Sequence, residues 1–169
     1  MSEEATIHCP LHYIAEITPC DPAEIAPLIA HLAADLPVTQ PTPFPRGTVL
    51  EDGRLDLCKQ QLGPMGCRLV TKALATNTTI TSLLLGTDGI GDEGAADVAR
   101  LIARNERLEI IYLGCNRIGE QGVATLAATL TQNCWCEDYG SSATPSASRV
   151  HTLSPKCFVT TGRCVLWIS

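Results

Sequence analysis

Between Leu55 and Asn133 the apolar positions fall into the same columns three times, 28 residues apart and without a gap. Leu55, Leu83 and Ile111 align, then Leu57, Leu85 and Leu113, then Leu62, Ile90 and Ile118. Two glycine columns follow, Gly63, Gly91, Gly119 and Gly66, Gly94, Gly122. Each copy closes on Leu74, Ile102 or Leu130 and on Asn77, Asn105 or Asn133. The Leu-x-Leu pairs alternate with period two and predict a short strand with both leucines on one face. Gly-x-x-Gly allows a tight exit from that strand and close backbone approach where a helix begins. Pro64 stands near that start, where a missing N–H costs little, and Asp92, Glu93 and Glu120 complement the helix dipole there. Val70, Ala73, Leu74, then Val98, Leu101, Ile102, then Val123, Leu126, Ala127, Leu130 follow helical spacing. The closing asparagine suits the left-handed conformation that ends many helices. Each copy is therefore predicted to be strand, turn, helix and return loop, with a period in the range of about 20–29 residues that stacked repeats use.

The L-x-L-x-x-(N)-x-I-G-x-x-G run at this spacing resembles the leucine-rich repeats of the ribonuclease-inhibitor type. That group includes the Ran GTPase-activating proteins and the repeat regions of intracellular immune receptors. The resemblance covers about half of the chain. It implies an α/β fold, a short right-handed solenoid with parallel strands on the concave side and helices on the convex side. The asparagine expected between strand and glycines is present as Asn116, whereas Asp88 and Gln60 stand in the other two copies. Those replacements are expected to weaken the hydrogen bonds that join neighbouring copies. No residue here matches a catalytic one of the GTPase activators, so the resemblance transfers no activity.

The flanks divide the chain into three parts. Residues 1–47 hold one helix and a proline-rich linker. Asp21-Pro22-Ala23-Glu24 reads as an N-cap, a proline in the first turn and an acid, followed by an apolar stripe of Ile25, Leu28, Ile29, Leu32 and Leu36. Pro27 falls beyond the first turn, so the helix either begins near it or has a distorted start. This helix is expected to cap the open end of the repeats. Pro37 to Pro45 reads as an extended connector. Residues 48–133 hold the repeats, which begin near 55, 83 and 111. A hairpin cap over 48–57 with a two-residue Asp52-Gly53 turn precedes them and covers the sheet edge. Residues 134–169 depart from the pattern and read as a divergent, partly disordered tail. Two short runs around Thr161-Gly162 are expected to pair as a hairpin, and the last repeat is left with an exposed flank open to self-association.

Composition narrows the function classes. Aromatic residues are only 4%, so the core must be built from Leu, Ile, Val and Ala. A net charge of −6 argues against a nucleic-acid or anionic-membrane partner. No apolar run approaches the roughly 20 residues of a membrane span. The acidic N-terminus lacks the features of a secretory signal, and a cytoplasmic address is expected. Nine cysteines without such a signal read as free thiols. Cys67 shares the column of Ala95 and Val123 and reads as a small core residue, while Cys58 and Cys115 fall at the strand ends. A thiol or zinc protein using the terminal cysteines Cys9, Cys20, Cys134, Cys136, Cys157 and Cys164, with half-sites at His8-Cys9 and His12 and at Cys134-x-Cys136, is an alternative, although the paired ligand spacing of a zinc site is missing.

No nucleophile elbow, phosphate loop or zinc-protease motif occurs, so a non-enzymatic chain without cofactor is expected. The residues between the buried leucines form outward columns: Arg54, Ser82, Ile110 and Asp56, Leu84, Tyr112, with Cys58, Gly86, Gly114 beyond. A solvated face should be polar, and this one carries Leu84, Ile110 and Tyr112 beside Arg54 and Asp56. These residues are the candidate surface for a protein partner. The alternative is that the tail or the N-terminal segment folds over them. A regulatory fragment of a GTPase-regulator-like or immune-receptor-like repeat protein is the second functional reading. Asp88, Asp92, Glu93, Asp97 and Glu120 read as a solvated outer face.

Overall fold

A computed structural model of the chain describes residues 20–132, 150–153, 156–160 and 165–168. It is a mixed α/β structure in which four helices pack on a sheet of eight strands, counted among the described residues. Strand β3 (Arg54–Asp56), helix α2 (Gly63–Leu74), β4 (Ser82–Leu84), α3 (Gly91–Ile102), β5 (Ile110–Tyr112) and α4 (Glu120–Gln132) follow one another along the chain. The three strands run parallel, with Arg54 opposite Ser82 opposite Ile110 and Leu55 opposite Leu83 opposite Ile111. The helices pack in succession, α2 on α3 on α4. Between the two layers lie Leu55, Leu57, Leu62, Val70 and Leu74 and their counterparts, essentially inaccessible to water except for the partly buried Ile102 and Ile118.

The turns repeat as faithfully as the strands. Lys59, Thr87 and Cys115 all have positive φ, and so do Gln61, Gly89 and Arg117 two residues later. The backbone bonds keep the same offset: Leu57 N–H donates to Leu84 O and Leu85 N–H to Tyr112 O, at 2.9 and 2.8 Å. Gly63 and Gly91, at φ near 60°, open their helices in the left-handed region that glycine occupies at least cost. Gly94 has a second reason: a Cβ there would stand 2.5 Å from Ile90 Cβ.

The closing asparagines do a different job from the one expected. Neither Asn77 nor Asn105 is left-handed; both side chains are buried, Asn105 bridging two copies and Asn77 joining the first copy to the N-terminal segment at Leu32. Asn77 Nδ2 donates to Leu32 O (2.9 Å) while its Oδ1 accepts from Thr79 and Ile80 N–H. Asn105 Nδ2 donates to Leu74 O and Asn77 O, and its Oδ1 accepts from Arg107 and Leu108 N–H. Asn133 lies outside the described residues.

At the N-terminal end, helix α1 (Pro22–Ala34) runs straight through Pro27. Asp21 caps it by accepting from Ala23 N–H (2.9 Å). Pro27 withholds a donor from the carbonyl of Ala23, which is exposed, so water is at hand for that group. Ile25, Leu28 and Leu32 are buried against α2, but Leu36 does not complete their stripe. Asp35 turns left-handed at φ 51° and ends the helix, leaving Leu36 60% exposed. The Asp35 carboxylate accepts from Thr78 Oγ1 and from Thr78 and Thr79 N–H, bonds that hold its pKa below the ordinary value.

The proline-rich stretch is more than a connector. Thr42–Pro43 forms β1, paired antiparallel with β2 (Thr48–Val49), which pairs in turn with β3. The loop between β2 and β3 has four residues, 50–53, rather than two. Leu50 N–H bonds Arg54 O, Gly53 N–H bonds Leu50 O, and Gly53 is left-handed at φ 79°. Pro43 on β1 blunts this sheet edge.

At the other end the tail joins the same sheet. The pair β7 (Lys156–Thr160) and β8 (Val165–Ile168) is antiparallel, as expected around Thr161-Gly162, and β6 (Val150–Leu153) extends it. β8 runs parallel to β5 with Ile111 opposite Leu166, whose side chain is fully buried. The strand edge of the third copy, where an exposed flank was expected, is thus occupied. Residues 134–149 lie outside the described residues. No helix among the described residues is long and apolar enough to cross a membrane.

Asn105→Ala would strand the Asn77 carbonyl and the Arg107 and Leu108 N–H groups, while Leu74 O keeps its bond from Asn77 N–H (3.1 Å). At about 1–3 kcal/mol per unsatisfied buried group, with partial relaxation, the loss should be about 3 kcal/mol. Urea denaturation should show a lower midpoint at unchanged slope.

Candidate functional site

Parallel register assembles the candidate surface. Because side chains alternate across a strand, burying Leu55, Leu83 and Ile111 directs their neighbours to the opposite face. Arg54, Ser82 and Ile110 form one row there, and Asp56, Leu84 and Tyr112 the next. All six expected residues are brought together. Arg54 and Ile110 are exposed, Ile110 to 41%, and the other four are half-buried.

The polar end of the face is the first copy. Asp56 Oδ1 accepts from Cys58 N–H (3.0 Å), which fixes the carboxylate at the strand end. Arg54 lies 3.5 Å from Asp52 in an exposed pair of the kind worth about 0–1 kcal/mol, so its guanidinium stays available. Leu84, Ile110 and Tyr112 make the apolar end.

Gly86 shapes the boundary between the two. A Cβ at this position would stand 2.7 Å from Tyr112 Cε1 and 3.0 Å from Cys58 Sγ. The phenol ring therefore lies against bare backbone, with the thiol beside it. Gly86 N–H donates to Cys58 Sγ (3.3 Å) and favours the thiolate, but burial outweighs this and pushes the Cys58 pKa up to about 11. Burial likewise raises the thiols of Cys67 and Cys20, both in the core. Such groups are packing residues rather than nucleophiles.

Two of the acids expected on a solvated face are interior. Asp88 is fully buried between the first and second copies. Asp97 is 6% exposed and pairs with Arg68 (3.2 Å) and Arg100 across α2 and α3. Asp92 is exposed, as expected, and its Oδ1 also accepts from Gly119 N–H (2.6 Å) at the start of the next copy's helix. Asp88 shares a column with Asn116, a signal already present in the repeat alignment. Nothing in the spacing marked Asp97.

The helix side carries an open groove of about 200 Å³ between α2 and α3, lined by Thr71, Lys72, Asp97, Arg100 and Arg104 among others. Lys72 and Arg100 lie in last helical turns, where they complement the dipole, and Arg104 follows the end of α3. Of the zinc alternative, His8, Cys9, His12, Cys134 and Cys136 lie outside the described residues. Among the described residues no group of three or more His, Cys, Asp or Glu side chains could hold a metal ion.

The chain matches no known protein-family description, and no curated protein matches it either.

Gly86→Ala should displace the Tyr112 ring, and the ring-proton shifts of Tyr112 in NMR spectra should move while far-UV dichroism stays unchanged. Cys58 should alkylate at pH 8 roughly 100-fold more slowly than an ordinary thiol, following its thiolate population. Peptide mass spectrometry after timed iodoacetamide treatment measures this.

Proposed function

We propose that the chain is a leucine-rich-repeat solenoid of the ribonuclease-inhibitor type, a cytoplasmic, non-catalytic module that binds another protein through its strand face. The observation that carries this reading is the cluster of Leu84, Ile110 and Tyr112 across two adjacent rows on the open side of the sheet, bounded by Asp56 and Arg54. Apolar residues in a contiguous exposed patch with a charged rim are the usual makeup of a recognition surface. Tyr112 is suited to anchoring because it offers a large rigid area and loses little side-chain entropy on binding. The 28-residue offset shared by register, turn conformation and backbone bonds supports the repeat assignment.

The partner this face fits is an extended or helical segment with an apolar side chain over Leu84 and Tyr112 and a cation over Asp56. A random-peptide library selected against the full chain tests this. Enriched peptides should pair apolar residues with Lys or Arg. They should bind a Leu84→Ser, Tyr112→Ser variant at least about tenfold more weakly, a difference of about 1.4 kcal/mol. Equal binding to the parent and to a folded variant would put the recognition surface elsewhere.

A further inference from the structure

Asp88 occupies the position of an amide in a ladder of hydrogen bonds. Asn116 Oδ1 accepts from Asp88 N–H (2.9 Å) and its Nδ2 donates to Leu85 O. One copy earlier, Asp88 Oδ1 accepts from Gln60 N–H (2.8 Å) in the same way. The main-chain bonds beside them agree: Gly91 N–H to Asn116 O at 3.0 Å and Gly63 N–H to Asp88 O at 2.9 Å. Only the last bond of the set is missing. Asp88 Oδ2, the counterpart of Asn116 Nδ2, is buried without a hydrogen-bond partner. The carbonyl it corresponds to, Leu57 O, takes a long 3.3 Å bond from Gln60 N–H and has capacity for another.

We infer that Asp88 is a protonation-dependent joint between the first two copies, closed when its Oδ2 carries a proton and donates it to the Leu57 carbonyl. Two carboxylate lone pairs cannot bond a carbonyl oxygen, whereas a carboxylic acid supplies the single donor that the Asn116 amide supplies next door. Losing the proton to solvent removes that donor, leaves an ion in a buried site and loosens the 57–63 turn.

The surroundings favour the neutral acid. Burial raises the Asp88 pKa to about 7, against the lowering effect of the Gln60, Leu62 and Gln61 N–H groups. The ionisable groups that face it are Asp56 on β3, Cys58 just beyond, Cys67 on α2 and Cys20 ahead of α1, each either acidic or a thiol with a raised pKa. None of these four favours the ion. With the folded pKa above the unfolded one, the contribution to stability is complete below about pH 4 and is lost as pH rises to about 7. Beyond that it stays lost. The joint therefore opens across the neutral range, and it does so whatever the strand face binds.

The test is a carbon-13 NMR titration of the aspartate carboxyl groups in the full chain, assigned by comparison with Asp88→Asn. The Asp88 signal should titrate near pH 7. The Gln60 and Gly63 amides, corrected for intrinsic exchange, should lose hydrogen-exchange protection over the same range in the parent and keep it in Asp88→Asn. The denaturation midpoint of Asp88→Asn should pull ahead of the parent between about pH 4 and 7 and run parallel above. An Asp88 signal that titrates near the ordinary value of about 4 would overturn the inference. So would equal loss of protection in both proteins. If Asp88→Asn does not fold, the Asp88 carboxyl signal of the parent is assigned by triple-resonance correlation to its own amide, and its titration still decides.

Discussion

Every copy of this chain must leave a buried strand, turn, and enter a half-buried helix within a few residues, and the buried backbone groups of those turns need partners other than water. The structure meets that requirement with side chains borrowed from the neighbouring copy. Asn77 and Asn105 each hold a carbonyl at the end of the preceding helix and two N–H groups of their own loop. Asn116 and Asp88 do the equivalent at the strand end, and Asp92 caps the helix that follows it. Buried donors and acceptors left unpaired would cost more than packing of Leu and Ala could recover, so the stacking of copies depends on these few polar residues.

The same requirement explains how a non-repeating N-terminus becomes part of the array. The last turn of α1 offers Leu32 O to Asn77 just as α2 offers Leu74 O to Asn105, so α1 takes the place of a preceding helix. Asp35 then bonds the loop at Thr78 and Thr79, and Arg46 joins Glu24 of α1 to the Gln60 carbonyl. On the sheet, β2 and β1 extend from one side of the three parallel strands, and β8, β7 and β6 from the other. Strand edges that would invite pairing with other chains are covered by segments with no counterpart in the repeat.

This arrangement separates what holds the molecule together from what it shows to solvent. One face of each strand and the turns are committed to the core and the ladder, so Leu55, Leu83 and Ile111 leave little latitude. The opposite face is free of structural duty apart from the Asp56 and Gly86 contacts at its edge. A surface built this way can vary without unfolding its support, which is the property a binding face requires.

The sequence by itself determined the repeat unit, the parallel order of three strands and three helices, the capped first helix and the rows of the candidate face. The strand and helix of each copy follow from periodicity, a local property that burial enforces; the parallel order is what the resemblance to leucine-rich repeats implies, and the cap is read from Asp21-Pro22-Ala23-Glu24. It also displayed the column holding Gln60, Asp88 and Asn116, though not its depth. Only the tertiary structure decided that Asp88 and Asp97 are interior, that Asn105 bridges copies and Asn77 joins the first copy to the N-terminal segment instead of ending helices, and that Leu36 is exposed beyond a left-handed Asp35. It also decided that the tail adds strands to the sheet. The physical reason is common to these. A polar side chain between two copies is buried or solvated according to whether a backbone partner from another part of the chain arrives opposite it, and that pairing is set by stacking rather than by spacing.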